Sequence, residues 1–173
     1  MSSNVENLVI KSKAGDTAAF GDLYELYCRD MYRFALYYTG SSAVAEDCVS
    51  EAVLIAFRKI GELQTISGFN SWLFRILRNC CSAHFRKNSK EITVENSLTG
   101  VHSFENEQNE KISLKKALMG LPEDERELII LHFCMGYTSK EISRMLIMNE
   151  NTVRSKISRG TGKLKRELVN DGE

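Results

Sequence analysis

The sequence predicts an all-α protein: two helical domains joined by a flexible linker, the second carrying a helix-turn-helix. Three observations predict it. Apolar residues recur at spacings of three and four, and no run of alternating strands appears. The 173 residues include one proline, Pro122, so helices can run uninterrupted. Between residues 88 and 109 the periodicity lapses into Ser, Asn, Glu, Thr and Gly, the composition of a linker.

Asp16 is a good N-cap, and Phe20, Leu23, Tyr27, Met31, Phe34 and Tyr38 follow on one face of a long helix. Gly40-Ser41-Ser42 breaks it. A second helix starts with Ser42 as cap, buries Val44, Cys48, Ala52, Ile55 and Ala56, and ends near Ile60, before Gly61. The connection Glu62 to Asn70 leads to a third helix from Ser71 to about Lys87, with Trp72, Leu73, Ile76, Leu77 and Cys80 inward. Within the linker, Glu91 to Asn96 could form a short extended piece.

Past the linker, Ile112, Lys115 and Leu118 suggest a helix that Gly120 ends. Pro122 starts another, with Glu123, Asp124 and Glu125 at the positive end of its dipole. It continues to Met135, and Gly136 ends it. Thr138 and Glu141 form a capping box for a short helix that closes near Leu146. Asn149 caps the last helix. The expected division is 1–88, a linker 89–110, and 111–173.

Composition narrows the function. Hydrophobic residues are 43% and charged residues 27%, a globular balance. No stretch approaches a membrane span, and the N-terminus lacks a signal-peptide pattern, so direct membrane insertion is not expected. The cysteines, Cys28, Cys48, Cys80, Cys81 and Cys134, form no CxxC pair and read as small hydrophobes of a reduced, cytoplasmic protein. No metal, cofactor or small-molecule substrate is expected, and no convergent catalytic set points to an enzyme. Net charge is zero, but its distribution is uneven. Residues 89–110 hold Glu91, Glu95, Glu105, Glu107 and Glu110 against Lys90, whereas Lys140 to Leu168 is strongly basic.

Two helices across a tight turn, the second rich in Arg, Lys, Ser and Asn, make a DNA-binding helix-turn-helix. With Val153 central to the buried face, Ile157, Thr161, Leu164 and Leu168 fall near it. Asn151, Ser155, Arg159 and Gly162 face outward, flanked by Arg154 and Ser158 on one side and Lys156 and Lys163 on the other. Such side chains suit base edges and phosphates. Gly160 and Gly162 each cost about 0.5–1 kcal/mol in a helix interior. Either the helix frays or bends after Arg159, or the glycines permit close approach to the DNA backbone.

Leu121 to Leu168 resembles the fourth conserved region of bacterial sigma factors of the small extracytoplasmic-function (ECF) group, in the sigma-70 superfamily. The matching features are Leu121-Pro122, Gly136-Tyr137, Glu141-Ile142 and the core Thr152 to Lys156. Response-regulator output domains share a similar helix-turn-helix, so the first block decides. Ala45 to Phe57 resembles the family's acidic second-region helix, and Phe69 to Lys87 its Trp-Leu helix, in family order and spacing. The chain departs from the pattern at Ile147-Met148, where the family usually has Gly-Val, and at Gly160-Thr161-Gly162.

The resemblance implies a non-enzymatic subunit that directs core RNA polymerase to promoter DNA and helps open it. It implies that the second helix docks on the polymerase through Glu46, Asp47, Glu51 and Arg58. It implies that Phe69, Asn70, Ser71, Arg75, Arg78 and Asn79 hold the melted −10 element, with Arg86 and Lys87 on phosphate and Trp72 in the core. Asn151, Arg154, Ser155, Ser158 and Arg159 would read the −35 element, with Lys156 and Lys163 on phosphates. An anti-sigma factor is an implied partner. The rival reading is a stand-alone helix-turn-helix regulator with an N-terminal sensing or dimerisation domain.

Overall fold

The computed structural model describes residues 3–91 and 114–170. Every regular element among them is helical. The chain opens with a helix that the periodicity did not predict, α1 (Ser3–Lys13), which buries Val9. α2 (Thr17–Thr39) starts where Asp16 accepts from the Ala19 amide at 3.0 Å. It stops at Gly40, whose φ of 72° is left-handed and whose N–H reaches the Leu36 carbonyl. Glycine is needed there for a second reason: a Cβ would sit 2.9 Å from Met119 Sδ.

α3 (Ser42–Lys59) is capped by Ser41, not Ser42. Ser41 is the residue with extended backbone, and its hydroxyl accepts from the Val44 amide; Ser42 is already helical. Two 3₁₀ turns, Ile60–Glu62 and Ile66–Gly68, make the connection to α4 (Phe69–Glu91). α4 starts two residues before the expected Ser71 and extends into the expected linker, because nothing between Lys87 and Glu91 breaks a helix. The rest of that linker, its extended piece beyond Glu91, Ile112 and the side chain of Lys87 lie outside what is described.

Residues 114–119 are helical (α5) and end at Gly120. α6 (Glu123–Ile129) widens into a π turn at Ile130–Cys134, which contains His132. A local widening leaves no mark in a 3.6-residue pattern. α7 (Ser139–Leu146) carries both bonds of the capping box, Glu141 N–H to Thr138 Oγ1 at 3.3 Å and Thr138 N–H to Glu141 Oε2 at 2.8 Å. α8 (Glu150–Asn170) is continuous. It does not fray after Arg159. Gly160 is buried, and a Cβ there would lie 3.1 Å from Ile129 Cγ1, so the glycine lets α8 close on α6. Gly162 faces open space.

α3 packs on α2 and α4, while α8 packs on α6 and α7. The two groups are not separate. One cluster of buried side chains runs from Phe34, Tyr38 and Leu77 to Leu118, Leu128 and Leu131. α2 and α4 touch the π turn and α7 directly. Gly162→Ala should therefore stabilise the protein by about 0.5–1 kcal/mol in urea unfolding. Gly160→Ala should gain less, or lose stability, because Ile129 must give way; equal gains would mean that α8 and α6 pack less closely.

Candidate nucleic-acid interface and the junction behind it

The last helix is built to leave one face bare. Asn149 Oδ1 accepts from the Asn151 amide at 2.9 Å and starts α8. Val153, Ile157 and Leu164 are buried, Thr161 is half-buried, and Leu168 remains partly exposed despite its place on the expected inner face. Asn151, Arg154, Ser155, Ser158 and Arg159 are all exposed. Arg154 Nη2 lies 2.5 Å from Glu150 Oε1, one turn back. Glu150 thus holds the guanidinium, a role the sequence reading did not give it. Lys156 pairs with Asp124, and Lys163 Nζ lies 2.7 Å from Glu125 Oε2. The hydrogen bond from Lys156 keeps the Asp124 carboxyl below its usual range. These two lysines are drawn toward α6, so a phosphate must compete with carboxylates for them.

On α3 the side chains of Glu46, Asp47, Glu51 and Arg58 are exposed, and Glu51 reaches His84 of α4 at 3.3 Å. Beside them Leu54 and Phe57 are 56% and 45% exposed. The Phe57 ring meets Phe20 edge-on at 5.1 Å, which fixes its position. Neither residue was singled out as a contact. Their signal was available: apolar side chains off the buried stripe of Ala45, Cys48, Ala52 and Ala56.

At the start of α4 the expected roles of two aromatics change. Phe69 is 1% exposed and packed against Tyr27 and Trp72, so it cannot stack on a base and belongs to the core. Trp72, expected in the core, is only partly buried and lines two grooves. One, of about 460 Å³, has Glu51, Lys59, Trp72, Arg75 and Asn79 on its walls. The other, of about 340 Å³, runs past Thr65, Ser71, Trp72 and Arg75 and is walled on the far side by Arg144 and Met145 of α7. Ser71, Arg75 and Asn79 are thus brought together. Asn70 and Arg78 are not free in the same way. The Asn70 amide exchanges two hydrogen bonds with the Tyr137 hydroxyl, at 2.8 and 3.0 Å, and Arg78 Nε lies 3.0 Å from Glu127 Oε1. Arg86 Nε donates to the Ser82 carbonyl at 3.2 Å.

The junction between α2, α4 and α6 is polar at its centre. Tyr38 Oη and Ser82 Oγ both donate to Glu123 Oε1 at 2.6 Å. Burial opposes charge on Glu123, but these two hydroxyls with Arg86 and Arg78 outweigh it and lower its pKa. Arg126 is 2% exposed. Its Nη1 donates to the Tyr38 carbonyl at 2.9 Å, and its Nη2 to Leu121 and Met119 carbonyls at 3.0 and 3.3 Å. Its guanidinium also lies over the Phe85 ring, 4.7 Å from the centroid. Burial pushes the Glu127 carboxyl up to about 7, against the opposing pull of Arg78.

Elsewhere, Cys48, Cys80 and Cys81 are buried free thiols between α3 and α4, and burial pushes Cys80 up to about 11. Among the described residues there is no group of side chains suited to a metal ion and no helix long and apolar enough to cross a membrane.

A capped helix-turn-helix with a bare basic face, joined in one chain to a four-helix block with an exposed apolar-acidic face, defines a class of DNA-binding transcription proteins. Comparison with known proteins narrows it. Residues 23–91 match the model for Sigma-70 region 2, and residues 111–164 that for Sigma-70, region 4. The chain is 30% identical to the ECF RNA polymerase sigma factor BldN of Streptomyces coelicolor, over 98% of this chain and 68% of that protein. It is also 30% identical to the ECF RNA polymerase sigma factor SigM of Mycobacterium tuberculosis, over 96% and 85%. The sigma factor RpoE of Bartonella quintana, solved with the anti-sigma factor NepR, superposes with a TM-score of 0.74 at 27% identity, over 86% of this chain and 96% of that one. CnrH, solved with the cytosolic domain of CnrY, shares the fold with a TM-score of 0.79 at 20% identity, over 98% and 99%. The chain belongs to the ECF family of RNA polymerase sigma factors.

The buried carboxyl makes a prediction. The folded Glu127 pKa of about 7 lies above the ordinary 4.5, so the native state binds the proton more tightly than the unfolded chain. Stability from this group is complete below about pH 4.5 and declines as pH rises to about 7, by at most about 3 kcal/mol. Glu127→Gln should flatten that segment of a stability-versus-pH profile from urea unfolding. An unchanged slope would show that Glu127 ionises normally in the folded protein.

Proposed function

We propose that this sigma factor works through three surfaces and without catalysis of its own. α3 docks on core RNA polymerase through Glu46, Asp47, Glu51 and Arg58 around the apolar pair Leu54 and Phe57. The connection before α4, with Ser71, Arg75, Asn79 and, once released, Asn70 and Arg78, holds the unpaired −10 strand, where pockets and stacking replace groove reading. Arg86 and Lys87 follow on phosphate. α8 reads the −35 element through Asn151, Arg154, Ser155, Ser158 and Arg159, with Lys156 and Lys163 at the backbone. Segments 1–88 and 111–173 act as the two DNA-contacting units, and 89–110 spans the distance between the promoter elements.

The observation that carries this reading is the occurrence of both family regions, in order, in one chain. A stand-alone helix-turn-helix regulator has no use for the first. Zero net charge fits the reading too, since a subunit delivered by polymerase needs little affinity for DNA on its own. A related sigma factor has been solved with an anti-sigma factor, and we propose a partner of that kind here. The site of action is cytoplasmic, where polymerase is.

Transcription in vitro with core polymerase over a promoter library tests the whole. Start-specific transcripts are expected; their absence with folded protein would overturn the assignment. Arg154→Ala should lower transcription about 10- to 100-fold while leaving polymerase binding intact, the span of a single good base contact. Leu54→Glu with Phe57→Glu should do the reverse, weakening polymerase binding by tenfold or more with normal circular dichroism. If Arg154→Ala abolishes polymerase binding instead, α8 is misassigned.

A further inference from the structure

The connection before α4 turns polar side chains outward and has little of its own to hold it. Glu62, Gln64, Thr65 and Ser67 are exposed, while Leu63 and Phe69 are buried and anchor it. Neither of its 3₁₀ turns has a side-chain cap. Its main-chain hydrogen bonds, Leu63 N–H to the Ile60 carbonyl at 3.2 Å and Gly68 N–H to the Thr65 carbonyl at 3.0 Å, close each turn without joining the two. The outside support comes from α1. Lys13 Nζ donates to the Leu63 carbonyl, between the turns, across 50 positions of sequence. Each turn touches α1 as well as the helix it adjoins. α1 is a firm mount for this lysine. Val9 is fully buried, and Ala14 N–H to Ile10 at 3.2 Å with Asp16 N–H to Lys11 at 3.1 Å closes a tight turn into the capped start of α2. Lys13 also lies outside the stretch that matches Sigma-70 region 2, residues 23–91.

We propose that Lys13 is a positioning residue for −10 recognition: it reaches no base itself and holds the connection in the shape that meets the unpaired strand. The proposal rests on the reading, given above, that this connection and the start of α4 hold that strand. An ammonium on a main-chain carbonyl carries no sequence information; its effect is to restrain the backbone. The restraint falls where it matters. Gln64 and Thr65, which follow the held carbonyl, line the groove of about 340 Å³ together with Ser71, Trp72 and Arg75. A segment ordered in advance loses less freedom when a strand arrives. It also reshapes less readily around a wrong sequence. Losing the Lys13 contact therefore blunts discrimination at the −10 element more than it weakens DNA binding in general. A direct phosphate contact by the same charge would act differently, weakening all sequences alike and lowering the salt dependence of binding.

The test uses holoenzyme formed from core polymerase and the full chain. Its templates are a promoter selected from the library and copies of it with the −10 positions scrambled. Lys13→Met should lower the ratio of transcription from the two about fivefold to tenfold, with circular dichroism, polymerase binding and the salt dependence of promoter binding unchanged. Lys13→Arg, which keeps a cationic donor, should restore most of the ratio. Ile10→Ala, on the exposed side of the same helix, should leave it as it was. In the free chain, hydrogen exchange should quicken over residues 62–68 of Lys13→Met and stay the same over α8. Unchanged exchange over 62–68 overturns the proposal. So does equal loss on both templates with a salt slope smaller by about one, the mark of a phosphate contact. Quicker exchange with an unchanged ratio overturns the reading that the connection meets the strand, and the proposal with it. If Lys13→Met fails to fold, Lys13→Gln, which also removes the charge, takes its place and is read in the same way.

Discussion

One buried guanidinium organises the meeting of the two ends of this chain. Arg126 sits in α6, yet its hydrogen bonds go to the end of α2, to the end of α5 and to the segment just before α6. At 2% exposure its two terminal nitrogens are satisfied while its Nε has no hydrogen-bond partner among the described residues, and carbonyls at two helix C-termini suit a cation because the helix dipoles are negative there. Burial still lowers its pKa, but from so high a value that it stays charged. The neighbouring positions follow. Gly40 ends α2 in a left-handed turn against the Met119 side chain of α5, and Glu123 and Glu127 flank Arg126 and face Ser82 and Arg78 of α4.

This junction sets a buried polar network beside the apolar side chains that run from Phe34, Tyr38 and Leu77 to Leu118, Leu128 and Leu131. Replacing such a network by hydrophobic side chains often costs nothing in stability, so its value is better sought in specificity. Here it joins residues far apart in the sequence, Arg78 with Glu127 and Asn70 with Tyr137.

The fold was legible where local chemistry decided it. Asp16, Gly40, Pro122, the Thr138–Glu141 box and Asn149 mark helix ends in the sequence, and the structure has ends there. The misses have physical causes. Ser41 and Ser42 are chemically the same cap, and only backbone conformation separates them. Phe69 and Trp72 sit three residues apart on one helix, and the packing of α2 side chains such as Tyr27 and Leu23 encloses the first. The exposed face of the candidate site was legible on α8, where it shows in the spacing. It was illegible on α4, because Asn70–Tyr137 and Arg78–Glu127 join residues 67 and 49 positions apart in the sequence. No periodicity reports such pairs.

Charge placement on the last helix closes the argument. A zero net charge distributes carboxylates as well as cations, and here α6 places Asp124 and Glu125 against the inner flank of α8. They engage Lys156 and Lys163, and Gly160 brings the helix near enough for them to do so. The outer flank keeps Arg154 and Arg159 exposed, with Glu150 aligning Arg154 along the axis. A helix with every cation free would bind any duplex through its phosphates. With two of its lysines tied to α6 and one arginine aligned by Glu150, this helix offers duplex phosphates fewer free cations than its sequence suggests.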